Sequence, residues 1–177
     1  MKTKIYCDIA DIKIIRKFAK KKIVKGFTTN PSLMRRAGAK DYKNYSKKIL
    51  KACKNKPVSF EVFADDEINI MNQAKKINSW GKKVFVKIPV INTKGKFLGK
   101  VIKKLNYNNI KLNVTAVYSF KQVKKILKNL NKKTEIIISI FAGRAGDVGK
   151  NPIPELKKSI QAAFDKNQNF RILNLAG

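Results

Sequence analysis

Seven short runs rich in Val, Ile and Phe alternate with amphipathic helical stretches along the chain, and this alternation constrains the fold more than any other feature. The runs fall at residues 4–10, 24–28, 58–63, 84–90, 111–117, 135–141 and 170–175. They are short and apolar, as strands buried on both faces of a parallel sheet tend to be. Between them, apolar residues recur at helical spacing. Asp11 can cap a helix that turns Ile12, Ile15, Phe18 and Ala19 inward, and Asp41 one with Tyr45, Ile49 and Ala52. Asp65 or Asp66 can open a third with Ile70, Ala74 and Ile77. A fourth runs from Lys96, Ser119 caps a fifth, and Pro154 suits the first turn of a last one. Strict strand–helix alternation demands parallel strands joined by right-handed crossovers. Periodicity leaves an open doubly wound sheet and a barrel as alternatives.

Composition narrows the chemistry. The 177 residues suit one domain with its own core. Histidine is absent, so no His-based triad, general base or metal ligand is available. Cys7 and Cys53 show no motif spacing and read as buried free thiols of a reducing compartment. No run has the length of a transmembrane span and the N-terminus lacks the apolar core of a signal peptide, so a cytoplasmic protein without a membrane partner is expected. The net charge is +30, mostly from lysine. Lysines at helical spacing around an apolar pattern read as solvated helix faces, so a nucleic-acid partner is not expected. The alternative is a surface that binds polyanions.

In either architecture, functional groups gather at the carboxyl ends of the strands. Lys87 interrupts Val84-Phe85-Val86-Lys87-Ile88-Pro89-Val90. It shares a strand face with Phe85, and the other face is wholly apolar. An edge strand would expose more than one polar residue, so a buried lysine is the better reading. Burial disfavours an ammonium ion, and the neutral amine is the form that attacks a ketone. Asp8 interrupts Ile5-Tyr6-Cys7-Asp8-Ile9-Ala10, and Glu61 interrupts Ser59-Phe60-Glu61-Val62-Phe63. A carboxylate in such a run must be paired or functional, and Asp8 could shuttle a proton. Asn30 stands before Pro31, which ends a strand, and Ser32, which can start a helix. Asn113 and Thr115 share one face of the fifth run, which suggests a lined cavity. Ser139, Phe141 and Arg144 close the sixth. Arg144, just past a strand end and after Gly143, suits a phosphate; its alternative is a surface ion pair with Asp147.

Four of these segments together resemble the transaldolase family. Gly26-Phe27-Thr28-Thr29-Asn30-Pro31-Ser32-Leu33 is similar to its second-strand signature, and Val86-Lys87-Ile88-Pro89 to its Schiff-base lysine motif. Leu112-Asn113-Val114-Thr115 and Ser139-Ile140-Phe141-Ala142-Gly143-Arg144 are similar to its fifth- and sixth-strand motifs. The resemblance implies a (β/α)8 TIM barrel and a cofactor-free class I aldolase of the pentose phosphate pathway. It implies sugar-phosphate substrates, with Lys87 as the Schiff-base nucleophile and Asp8 as the proton carrier. Glu61 and Thr115 would handle the water of imine formation and hydrolysis. Thr28, Asn30, Asn113, Ser139 and Phe141 would contact the substrate, and Arg144 its phosphate. Family members that act as simple fructose-6-phosphate aldolases tend to carry Gln at the Glu61 position and Tyr at the Phe141 position, so the pattern here resembles the transferases.

An eight-fold barrel typically needs roughly 200 residues or more. The sequence supplies about six and a half strand–helix units in one domain. The family's seventh strand leads into a Ser-x-Arg motif, and Ala176 or Gly177 stands where the Ser would be. An incomplete barrel is therefore expected, either as a truncated, non-catalytic product or as one completed by another chain or within a homo-oligomer.

Overall fold

A computed structural model describes residues 4–167 and 170–174 of the chain. Seven strands are present: β1 (Ile5–Asp8), β2 (Val24–Thr28), β3 (Val58–Glu61), β4 (Val84–Pro89), β5 (Leu112–Val117), β6 (Ile136–Ile140) and β7 (Phe170–Asn174). All seven expected runs are strands; among the described residues each matches its expected range or is trimmed by one or two residues at one or both ends. Leu175, expected in the last strand, and Ala176 and Gly177 lie outside the described residues. The helices are α1 (Ile12–Ala19), α2 (Pro31–Arg36), α3 (Tyr42–Ala52), α4 (Glu67–Asn78), α5 (Gly99–Tyr107), α6 (Phe120–Lys128), α7 (Ala142–Asp147) and α8 (Ile153–Lys166).

The strands follow the order β1-β2-β3-β4-β5-β6-β7 in one sheet. The β1–β2, β2–β3, β5–β6 and β6–β7 pairings are parallel. A doubly wound sheet reverses its strand order at a switch point, whereas a barrel adds strands in sequence. The sequential order therefore resolves the alternatives: this is a (β/α)8-type barrel fold, represented by seven strands among the described residues. No helix of these residues is long and apolar enough to cross a membrane.

The chain divides into two compact units. The first runs to Val62 and includes Lys76–Val86; the second comprises Phe63–Lys75 and the chain from Lys87 onward. The first unit buries Ile15, Phe27, Met34, Ile49 and Phe60 completely or nearly so. Asp11 caps α1 through Ile14 N at 2.9 Å, and Asp41 caps α3 through Asn44 N at 2.7 Å, as expected. Gly26 makes room for the ring of its cross-strand neighbour. A Cβ there would stand 2.2 Å from Cε1 of Tyr6, which pairs with Gly26 across β1 and β2.

The second unit has its core in Ile70, Ile88, Leu98, Ile102, Leu105, Leu112 and Ile126. Ser119 and Gln122 form a reciprocal capping box on α6. One helix start decides between the two expected caps, and another differs from expectation. Asp66 accepts from Asn69 N at the start of α4, while Asp65 instead accepts from both N and Oγ1 of Thr93, each at 2.7 Å. The helix expected from Lys96 begins at Gly99, because Ile91 and Phe97 form an antiparallel bridge around a turn held by Asn92.

Candidate active site

In the first unit, three polar residues stand at the last positions of consecutive strands: Asp8 on β1, Thr28 on β2 and Glu61 on β3. Asp8 and Thr28 are register partners. Thr28 is buried, and its Oγ1 donates to Asp8 Oδ1 at 2.7 Å. The hydroxyl thus orients a carboxylate whose residue is otherwise exposed. Asn30 is the N-cap of α2, where its Oδ1 accepts from Leu33 N at 2.9 Å. Helix α2 therefore starts at Pro31, not Ser32, with proline at the first position, where a missing N–H costs nothing. With Oδ1 committed to the cap, Asn30 offers a ligand its amide N–H groups. Glu61 is half-buried, and its backbone N–H and C=O both bond to the Tyr42 hydroxyl.

The second unit carries the remaining candidates. Lys87 is 6% exposed, within a strand whose residues Val84–Ile88 are all buried. The edge-strand reading fails, since β4 lies between β3 and β5 in the sheet. Asn113 and Thr115 on β5 and Ser139 on β6 are buried too. Ser139 Oγ donates to Asn113 Oδ1 at 2.7 Å, which fixes the orientation of the amide. Thr115 Oγ1 is buried and has no hydrogen-bond partner among the described residues. A buried orphan hydroxyl costs roughly 1–3 kcal/mol, and such groups in native proteins are satisfied by water or a ligand. The β5–β6 register breaks between Val114 and Val117, and Ala116 within that break holds φ 56°. A non-glycine residue in the left-handed region stores about 1 kcal/mol and is retained where the backbone must re-aim a side chain.

Phe141 stands at the head of α7 and packs edge-on against Tyr118, with centroids 5.5 Å apart. Arg144 departs from expectation. It does not follow a glycine turn, because Gly143 lies inside α7 and the chain runs straight from β6 into this short helix. Its guanidinium is largely exposed and stands 3.7 Å from Asp147, the surface pair that was the alternative reading. At this exposure such a pair contributes little.

Sequence reasoning missed Tyr42, Tyr118 and the strained Ala116. No linear signal connects residue 42 to residue 61, and a bulge leaves none in an apolar run. Among the described residues, no group of three or more Cys, Asp or Glu could hold a metal ion.

A profile of the transaldolase/fructose-6-phosphate aldolase family matches residues 5–173. The chain belongs to that family. It is 34% identical over 146 residues to a probable transaldolase of Dehalococcoides mccartyi, covering 82% of this chain and 64% of the relative. A probable transaldolase of Herpetosiphon aurantiacus is 31% identical over 173 residues, 98% of this chain and 73% of the relative. One from Lactiplantibacillus plantarum is 35% identical over 162 residues, 92% and 70% respectively. The chain thus spans just under two thirds of the first of these relatives and somewhat more of the other two. The family is one of aldolases and transaldolases.

Proposed function

We propose that this chain acts as a transaldolase, moving a dihydroxyacetone unit between sugar phosphates through a Schiff base on Lys87. The observation that carries the reading is the burial of a lysine, the one charged residue of its strand, near the carboxyl end of an apolar central strand. Functional groups of this architecture stand at the carboxyl ends of the strands, and a buried lysine amine there is suited to act as a nucleophile. The orphan hydroxyl of Thr115 on the neighbouring strand supports it, as a group suited to a water or substrate oxygen.

In this reading, the Lys87 amine attacks the carbonyl carbon of a ketose phosphate such as fructose 6-phosphate. Loss of water gives a protonated imine, with Glu61 and Thr115 moving the protons of that water. Asp8 takes the proton of the C4 hydroxyl as the C3–C4 bond breaks. The bonding pair passes toward the imine nitrogen, leaving an enamine on Lys87, and the shorter aldose phosphate departs. An acceptor aldose phosphate, such as erythrose 4-phosphate, then receives the three-carbon unit by the reverse steps. Water finally releases the product and regenerates the amine. Thr28 serves by orienting the Asp8 carboxylate. Asn30, Asn113 and Ser139 contact the three-carbon unit, Phe141 lines it, and Arg144 takes the phosphate. General acid–base steps of this kind contribute about 10²–10⁴-fold each. Glu61 and Phe141 favour the transferase over the simple fructose-6-phosphate aldolase.

Borohydride reduction in the presence of fructose 6-phosphate tests the reading. A three-carbon mass added at Lys87 is expected; none in a folded sample sinks it. Turnover that depends on erythrose 4-phosphate separates the transferase from the simple aldolase. Salt-sensitive DNA binding without sugar chemistry would point instead to polyanion binding by a non-catalytic product.

A further inference from the structure

Strand β3 outlasts its neighbour. Alternate residues of β3 turn their backbone groups toward β2: Phe27 N donates to Pro57 O at 2.8 Å and Thr29 N to Ser59 O at 3.3 Å. By this alternation Glu61 also faces the β2 side. The next donor in register would be residue 31, which is a proline and has no N–H to give. The chain there has already turned into α2. Strand β2 thus supplies no N–H to the carbonyl of Glu61, at the point where its side chain leaves the strand.

Tyr42 supplies both partners. Its hydroxyl accepts from Glu61 N at 2.9 Å and donates to Glu61 O at 3.0 Å. One side-chain oxygen thus does what a strand residue would do. The ring is held in place by Trp80, with centroids 5.8 Å apart, and by Phe60 at 6.5 Å, both edge-on. Burial pushes the phenol well above its ordinary range, so it stays protonated and able to donate. Phe60 and Glu61 point to opposite faces of β3, so the same aromatic cluster grips the strand from behind while the carboxylate leaves from the front.

We infer that Tyr42 is a positioning residue for Glu61: its hydroxyl fixes the last residue of β3 by both backbone groups and so sets the point from which the carboxylate is presented. The inference rests on the reading of Glu61 as the group that moves the protons of water during imine formation. Tyr42 itself touches no reacting atom.

A double-mutant cycle of Tyr42→Phe and Glu61→Gln tests it, read as the rate of imine formation with fructose 6-phosphate, quenched with borohydride at successive times. Tyr42→Phe keeps the ring packing and removes only the oxygen. It is expected to slow imine formation about ten-fold, with KM held within about two-fold, because small displacements of a reacting group cost rate more than binding. In the Glu61→Gln background, the same change is expected to add less than about two-fold. Equal effects in both backgrounds, or no effect in either, overturn the inference. If Glu61→Gln alone leaves the rate unchanged, Glu61 has no such role and the inference falls with it. If the folded wild-type protein forms no imine, the functional reading fails first. A second measurement needs no variant: the Glu61 amide of the wild-type protein should exchange with solvent as slowly as the Phe60 amide. Fast exchange at Glu61 alone shows that the hydroxyl does not hold it.

Discussion

Thr28 Oγ1 donates to Asp8 Oδ1 across 2.7 Å, joining the final residues of β1 and β2. The donor is buried and the acceptor is at the surface, so the bond holds a carboxylate in one orientation without removing it from water. Replacing Thr28 by Val keeps the shape and deletes the hydroxyl. The expected cost in stability is about 1 kcal/mol or less, read from urea denaturation. On the proposed role of Asp8, the expected cost in turnover is larger, about ten-fold, because a reoriented general base loses its line to the proton. Unchanged turnover would mean that the orientation of Asp8 has no part in the reaction.

Lys87→Met offers a contrast in sign. Methionine fits the length of the lysine stem and brings no charge into the strand. Imine trapping should vanish. Stability should hold or rise by about 1 kcal/mol, since functional sites commonly carry groups the fold alone would not choose. A large fall in the denaturation midpoint would instead make Lys87 a structural element of β4.

Burial pushes the Cys53 thiol up to about 12. At pH 8 it should resist a disulfide reagent such as DTNB in the native protein and react at once on unfolding. The sign of the linkage follows from the raised value. The folded state holds the proton more tightly than the unfolded one, whose thiol ionises near 9. Stability from this group is thus fully present below pH 9 and declines as the pH climbs toward 12. A midpoint that does not fall over that window, relative to Cys53→Ala, would contradict the burial.

Asp65 holds the turn after β4 through Thr93, and these hydrogen bonds keep its carboxyl below the usual carboxylate range. A depressed value means that the clamp is intact at neutral pH and is lost as the pH falls through the folded value, below about 4. Amide exchange at Thr93, corrected for its intrinsic acid dependence, should rise in that range. Asp65→Ala should show the same rise already at pH 7.

Strand identity was legible because buried strands announce themselves as apolar runs, and the polar residues that break them were legible for the same reason. Asp8, Glu61, Lys87, Asn113, Thr115 and Ser139 all came from that contrast. The caps Asp11, Asp41 and Ser119 followed from side-chain chemistry three residues ahead of a backbone N–H. What stayed hidden depends on contacts between distant positions or on backbone torsion. Asn30 could not be recognised as a helix cap while α2 was expected to begin at Ser32. Arg144 was expected in a turn because Gly143 precedes it, yet glycine is also tolerated within a short helix. Asp65 and Asp66 were indistinguishable until Thr93 claimed one of them. Sequential strand order, which separates a barrel from a doubly wound sheet, leaves no trace in the spacing of the runs.

The hydroxyl of Tyr42 also changes what β2 is free to do. A strand whose neighbour depends on it cannot be shortened without unravelling both. Here the last rung of β3 is answered from a helix, so the chain after Thr29 can turn early and place Asn30 and Pro31 outside the ladder. Beyond Thr29, the turn into α2 is thereby freed from supplying the last partner of β3. Insertions or substitutions in it should be absorbed locally, with the end of β3 and its carboxylate left where they were.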